Sequence, residues 1–351
     1  MSGAARPEER LPLERLDPWL KAQWPDLQGE AEVTQYSGGA SNWTYRLKYP
    51  ERDLILRRAP AGTKAKGAHD MGREYRLLAA LKPVYPLVPE PYLYSDDETL
   101  IGTEFFIMAR VDGYIPRRNL PREVQLDPTG VRRLCLSALD ALIDLHEVDH
   151  QAAGLSGLAK GSGYVQRQLD GWSERYRKAR TWNVGKGEKV MAWLQAHRPD
   201  VEQICLTHND FRFDNLVLDR NDPTRIVGVL DWELATLGDP LMDLGNSLAY
   251  WVEAGDDFLA QSTRRQPTHL PGMLSRREVI DYYCQRRGID VADWRFYEVY
   301  GLFRLAAIAQ QIYYRYHHGQ SRNPAFKRFW LFVNYLLWRC GRVMRRPVSK
   351  A

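Results

Sequence analysis

Residues 204–231 read ICLTHNDFRFDNLVLDRNDPTRIVGVLD. Three short apolar runs, Ile204–Leu206, Leu216–Leu218 and Ile226–Leu230, are separated by polar stretches, a pattern that predicts short β-strands. Thr207-His208-Asn209-Asp210-Phe211-Arg212-Phe213-Asp214-Asn215 fills the first interval, as a tight loop that presents polar groups at one edge. The third run leads into Asp231-Trp232-Glu233. Carboxylate and amide oxygens gathered at strand ends suit a hard divalent cation such as Mg²⁺. They also suit phosphoryl transfer, in which one carboxylate orients a hydroxyl while another carboxylate and an amide hold the metal. Taken singly, Asp210, Asn215 and Asp231 read better as turn residues, since Asp and Asn favour turns and caps. A metal hydrolase built on His208, Asp210, Asp231 and Asp243 is a rival, but the other histidines do not stand at ligand spacing.

Upstream of this stretch the pattern is β-rich. Runs at Val33–Tyr36, Trp43–Leu47 and Leu54–Arg57 are separated by Ser37-Gly38-Gly39 and Pro50-Glu51-Arg52-Asp53 turns. A helix is expected from about His69 to Leu81, stopped by Pro83, and two more strands at Tyr92–Tyr94 and Glu104–Val111. Residues 1–16 read as a loose leader, and Asp17-Pro18 as the cap and first residue of a helix through Trp24. Downstream, Val131–Glu147 is an amphipathic helix, Asp239-Pro240 opens another, and the remainder is helical. His146 closes the first of these, as a satisfied helix-end histidine. The layout is α+β by segregation. It divides into a leader and short helix over 1–30, a β-rich lobe over 31–111 and a mainly helical lobe over 112–351.

The composition narrows the function classes. Of 351 residues, 44% are hydrophobic and 26% charged, which fits a folded globular chain and excludes wholesale disorder. No signal-peptide core opens the chain, and the longest apolar stretch, Phe329–Trp338, is far short of the ~20 residues that span a membrane. The four cysteines, Cys135, Cys205, Cys284 and Cys340, are scattered and read as reduced thiols of a cytoplasmic protein. No nucleic-acid module is visible. Residues 301–351 carry ten Lys or Arg and no Asp or Glu. That segment is either a solvated basic face or a surface that attracts an anionic substrate.

The motif H-x-D-x-x-x-x-N, followed by an apolar strand and Asp, resembles the catalytic signature of kinases in the aminoglycoside phosphotransferase and choline kinase-like group. The stretches LTHNDFRFDNLVLD, VGVLDWELATLGDPLMDLGNSLAYW and FRLAAIAQQIYYRY resemble most closely the phosphotransferase domain associated with acyl-CoA dehydrogenases. The resemblance covers about residues 33–318 and is strongest over 204–250. It implies a protein-kinase-like two-lobed fold, ATP and Mg²⁺ as cofactors, and transfer of the γ-phosphoryl group to a small-molecule hydroxyl. Asp210 would be the catalytic base, Arg212 the cation on the transferred phosphate, and Asn215 and Asp231 the metal ligands. His208 and Asp243 would brace the loop. Gly38, Gly39 and Ser41 would belong to the nucleotide-covering loop, Arg57 and its helix partner Glu74 to the phosphate-binding pair, and Met108 and Arg110 to the hinge that receives adenine.

Three departures stand out. Arg57 occupies the usual lysine position, and the two cations differ in reach and geometry. Arg58 is the rival cation, but strand alternation sends it to the opposite face. Asn209 replaces the glycine of H-G-D and is among the residues that accept a left-handed backbone. The loop after Ser37 is not G-x-G-x-x-G.

The resemblance implies a hydroxyacyl-CoA as acceptor and a functional link to an acyl-CoA dehydrogenase. Arg304 and Arg315, eleven apart on a helical run, can share a face that binds its anionic groups. The alternatives are an aminoglycoside O-phosphotransferase, for which Glu253, Asp256 and Asp257 are the nearby carboxylates, and a non-catalytic nucleotide-binding pseudokinase, which Arg57 alone favours.

Overall fold

A computed structural model describes residues 10–36, 42–60, 70–199 and 202–348. The chain forms two compact units. The first comprises residues up to Gly113 with Ala153–Leu155 and Val227–Leu234, and the second comprises the rest.

The first unit is built on a five-stranded antiparallel sheet. Its strands are β1 (Glu32–Tyr36), β2 (Trp43–Lys48), β3 (Asp53–Arg58), β4 (Pro91–Ser95) and β5 (Phe105–Ala109), in the order β1-β2-β3-β5-β4. Alternation along β3 decides what each face carries. Leu54 and Leu56 join Tyr45, Leu47, Phe105 and Ile107 in one apolar cluster. Arg58 lies on that same face, 4.7 Å over the Trp43 ring, and donates to the Ile101 carbonyl at 3.0 Å. Arg57, between them in register, points the other way, toward helix α2 (Met71–Leu81). Asp70 caps α2 by accepting from the Arg73 N–H at 2.7 Å. A four-residue helix, α3 (Glu98–Ile101), links β4 to β5.

Helix α1 spans Leu13–Gln23, so it begins a turn before Asp17 and Pro18 lies inside it. The expected leader is therefore helical from Leu13. The physical reason is burial: Leu16 and Leu20 are fully buried in the apolar cluster of the sheet, and Trp19 meets Phe105 edge-on at 5.4 Å. That burial outweighs the backbone hydrogen bond lost at a proline. Asp17 serves not as a cap but as acceptor for the Tyr49 hydroxyl at 2.6 Å.

The second unit is mainly helical. It holds α4 (Pro128–His146), α5 (Tyr164–Ala179), α6 (Glu188–Ala196), α7 (Pro240–Ala249), α8 (Phe258–Thr263), α9 (Arg276–Arg287), α10 (Arg295–His317) and α11 (Phe329–Met344). Its short strands include β6 (Cys205–Thr207), β7 (Leu216–Leu218) and β9 (Thr236–Gly238); β8 (Ile226–Val229) leads into the 227–234 segment of the first unit. The partner of β6 is β9, paired antiparallel from Cys205↔Gly238 to Thr207↔Thr236, a strand too short and polar to announce itself in the sequence. Helix α10 packs against α5, α7 and α11 and forms the axis of the unit. All four cysteines are free and buried.

Candidate active site

In the first unit, a single guanidinium gathers three carboxylates. Arg57 Nη1 lies 2.9 Å from Glu74 Oε1, and Nη2 lies 3.2 Å from Asp231 Oδ1 and 3.3 Å from Glu233 Oε2. The strand-to-helix pair anticipated from the sequence is thus present. Glu233 is not among the site residues expected from the sequence, although its place two residues after Asp231 in Asp-Trp-Glu is a usable signal. Its Oε2 also accepts from Asn42 Nδ2 at 3.0 Å, and its carbonyl accepts from Arg73 at 3.2 Å. Trp232 anchors the segment: it is buried, donates from Nε1 to the Val229 carbonyl at 2.8 Å and meets Tyr85 edge-on.

Arg57 and Glu74 are both buried. Burial acts against the Arg57 charge, but Glu74, Asp231 and Glu233 outweigh it and hold the guanidinium protonated. Burial pushes the Glu74 carboxyl up, against the pull of Arg57, and the neighbouring Asp231 adds to the rise. Three acids therefore crowd the Arg57 guanidinium, with Arg73 as a second cation near Glu74. The surplus is negative, which suits a divalent cation. Asp231 has φ 69° and a side chain 39% exposed, so one carboxylate oxygen is tied to Arg57 while the group still reaches solvent.

In the second unit, the backbone of the loop after β6 is held by one side chain from α7 and one from α10. Asp243, fully buried on α7, accepts from the His208 N–H and the Asn209 N–H, each at 2.8 Å. His146 Nε2 lies 3.1 Å from the same carboxylate, and His146 Nδ1 lies 2.6 Å from the Tyr283 hydroxyl. Burial lowers the His146 pKa against the pull of Asp243, which keeps the ring neutral. Burial raises Asp243, but the hydrogen bonds it accepts from His146 and from the His208 N–H help to offset this, and the carboxyl stays below its ordinary value, ionised. On the far side of the loop, Arg304 Nη2 donates to the Asn209 carbonyl at 2.8 Å. Asn209 has φ 63°, the left-handed value its position demands, and its Nδ2 donates to Thr207 Oγ1 at 3.0 Å.

This scaffold presents Asp210. Its carboxylate lies 3.1 Å from Arg212 Nε and accepts from Asn215 Nδ2 at 3.1 Å. Arg212, expected on a phosphate, rests against Asp210 and Asp214 and 4.7 Å over the Tyr250 ring. Asn215 is buried; its Nδ2 donates to both the carbonyl and the carboxylate of Asp210, and among the described residues its Oδ1 accepts no hydrogen bond. The amide oxygen is the atom a hard cation takes. Among the described residues no group of three His, Cys, Asp or Glu could hold a metal. Within its own unit, the Asn215 amide oxygen is a donor of the kind Mg²⁺ accepts, and so, in the other unit, is the Asp231 carboxylate.

Met108 and Arg110, expected at a hinge, lie at the end of β5 and just after it. Met108 is buried in register with Ile55 and Pro91. The N–H groups of Ala109 and Arg110 donate to the carbonyls of Glu90 and Asp53, and the Arg110 guanidinium is held by Asp53 and Asp112. Gly38, Gly39 and Ser41 lie outside the described residues.

The phosphotransferase enzyme family (APH) matches residues 32–279. The chain belongs to that family. It is a phosphotransferase with a hydroxyl group as acceptor. Acyl-CoA dehydrogenase family member 11 of Rattus norvegicus is 34% identical over 90% of this chain, which spans 41% of that protein. The chain thus covers less than half the length of the curated relatives it matches. A candidate aminoglycoside phosphotransferase from Ralstonia eutropha has 28% identity and a TM-score of 0.80, covering 96% of this chain and 99% of its own. The ADP-bound aminoglycoside phosphotransferase APH(2'')-Ib, at 17% identity and a TM-score of 0.61, covers 95% of this chain and 99% of its own and shares the fold. Among the described residues no helix is long and apolar enough to cross a membrane.

Proposed function

We propose that the chain is an ATP- and Mg²⁺-dependent small-molecule kinase whose acceptor is an anionic hydroxy compound, a hydroxyacyl-CoA. The observation that carries the reading is the Asp210 carboxylate, held by Arg212 and Asn215 on a loop fixed through its backbone. Asp210 receives the proton of the acceptor hydroxyl as its oxygen bonds to the γ-phosphorus, and ADP departs. Asn215 and Asp231 are the Mg²⁺ ligands, and Arg57 with Glu74 the phosphate-binding pair. Bound Mg²⁺ supplies charge neutralisation at the phosphates.

The choice of an anionic acceptor rests on charge. An amine-rich acceptor needs available carboxylates. Of the three candidates upstream of the basic segment, Glu253 and Asp256 are bound to Arg276, at 3.4 and 2.6 Å, and Asp257 accepts from the Tyr335 hydroxyl at 2.8 Å. The relatives named for acyl-CoA dehydrogenases point to acyl-CoA chemistry.

The test is ADP release from ATP with 3-hydroxybutyryl-CoA, 3-hydroxybutyrate and kanamycin. Turnover with the thioester, and its loss by about 10²–10⁴-fold in Asp210→Asn, is expected. Turnover confined to kanamycin would overturn the acceptor class. An Asp210→Asn enzyme of normal rate would overturn the catalytic assignment.

A further inference from the structure

Arg304 and Arg315 do not form the cationic face expected of them. Arg315 is exposed near the end of α10, whereas Arg304 is 4% exposed and turned to the Asn209 carbonyl. A different residue joins Arg304. Its guanidinium lies 5.1 Å over the Trp172 ring, and the Arg175 guanidinium lies 3.9 Å over the same ring. Trp172 and Arg175 are three apart on α5, and α5 packs on α10.

The two cations have no counter-charge. Among the described residues neither is hydrogen-bonded or ion-paired to a carboxylate, and the Asn209 carbonyl is the one acceptor Arg304 reaches. Glu174, beside Arg175, is paired with Lys178 at 2.6 Å. Asp170, on the same helix, accepts from Gln166 and Gln195. Tyr300, from α10, is pushed up to about 12 by burial and stays a neutral hydroxyl. Burial and the like charge of Arg304 both lower the Arg175 pKa, the signature of a cation held beside a cation. Trp172 Nε1 is buried and faces the Tyr300 hydroxyl, so the indole ring is held in place beneath the two guanidiniums. An unfilled guanidinium pair of this kind gains most from an oxyanion, which accepts from both forks.

We propose that Arg175 and Arg304, laid on Trp172, form the subsite for an oxyanion of the acceptor, a carboxylate or a phosphate, beside the loop that carries Asp210. The inference rests on the hydroxyl-kinase reading and specifies which residues select the acceptor. The anion can come from the carboxylate of a free hydroxy acid or from the phosphates of a CoA thioester. Arg304 also holds the loop, so Arg175 is the residue to vary; its side chain is exposed and no hydrogen bond of the fold depends on it.

Three acceptors separate the cases: 3-hydroxybutyrate, 3-hydroxybutyryl-CoA and the uncharged 1,3-butanediol. The wild type should prefer a charged acceptor to the diol. Arg175→Gln should raise KM for that acceptor by about 10–100-fold with a much smaller change in kcat, leave KM for ATP in place and lose the preference over the diol. Arg175→Lys should restore part of the affinity, since it keeps the charge and lacks the fork. Preference for the free acid identifies a carboxylate as the anion; preference for the thioester alone identifies the CoA phosphates. Equal preference in wild type and Arg175→Gln would overturn the subsite while leaving the kinase reading standing. Calorimetric binding of the same three compounds decides the matter without turnover: binding of a charged compound that Arg175→Gln weakens supports the subsite even if no ADP is released. Equal binding by both proteins, or none by the wild type, overturns it.

Discussion

Gly301 of α10 stands directly against the carbonyl oxygen of Gly245 on α7; a Cβ on Gly301 would lie 2.1 Å from it. Two helix backbones approach there as closely as the absence of side chains allows. Asp243 and Arg304 stand two and three residues from this crossing on α7 and α10. Asp243 takes the N–H groups of His208 and Asn209, and Arg304 gives a hydrogen bond to the Asn209 carbonyl. The spacing of the two helices therefore sets the grip on the loop that presents Asp210.

Gly301→Ala should accordingly cost about 1–3 kcal/mol of stability by overpacking, because the obstructing atom is backbone and cannot rotate away. Chemical denaturation measures it. A variant within a few tenths of a kcal/mol of the wild type would show that the helices slide apart freely.

Arg57→Ala should cost about 3–5 kcal/mol, since it leaves Glu74 buried without its cation and three carboxylates facing one another. Arg57→Lys should recover part of this and keep partial activity, because an ammonium can neutralise but cannot reach all three acids as the fork does. Urea titration of both variants gives the stabilities, and KM for ATP, expected to rise in Arg57→Ala, gives the functional share. A lysine variant as unstable as the alanine one would show that shape, not charge, holds the cluster.

The sequence made much of this legible for local reasons. Alternation along β3 separated Arg57 from Arg58, and helical spacing on α2 turned Glu74 toward the sheet. The requirement for a left-handed residue at position 209 was readable from Asn209 itself. What was not legible depended on distant packing. Pro18 hid the true start of α1 because the decisive term is burial of Leu16 and Leu20 against strands that lie far along the chain. β9 escaped notice because three residues carry too little pattern. Arg304 looked like a surface cation because charge in a helix does not reveal which face is covered; its acceptor is a carbonyl 95 residues away in sequence.

Asn209→Ala should destabilise more than Asn209→Gly. Both lose the side-chain bond to Thr207 and the contacts with Tyr164 and Asn246, but only alanine resists φ 63°. The gap should be about 1 kcal/mol in thermal or chemical denaturation. Equal stabilities would mean that the loop relaxes out of the left-handed conformation once the amide is gone.

Asp239 sets a pH dependence of defined sign. It caps α7 by accepting from the Met242 N–H at 2.9 Å, yet burial pushes its carboxyl up to about 6, against the hydrogen bonds it accepts. In the unfolded chain the group titrates near the ordinary 3.8. Between these values the folded state keeps a proton that the unfolded chain has released. The contribution of Asp239 to stability is therefore full below about pH 4, falls as pH rises through 6, and stays at its minimum above that. His146, lowered by burial, works in the opposite sense: below its unfolded value of 6.5 the unfolded chain binds a proton first, so stability falls on acidification. Asp239→Asn keeps the cap, since an amide oxygen accepts the same N–H, and removes the ionisation. The difference in stability, variant minus wild type, should grow from near zero or slightly negative at pH 4.5 to a gain on the order of 2 kcal/mol at pH 7.5, while the His146 contribution cancels between the two proteins. Denaturant titrations at closely spaced pH values check it. A difference that stays flat from pH 4.5 to 7.5 would mean that Asp239 is ionised throughout and that the hydrogen bonds at the start of α7 outweigh its burial.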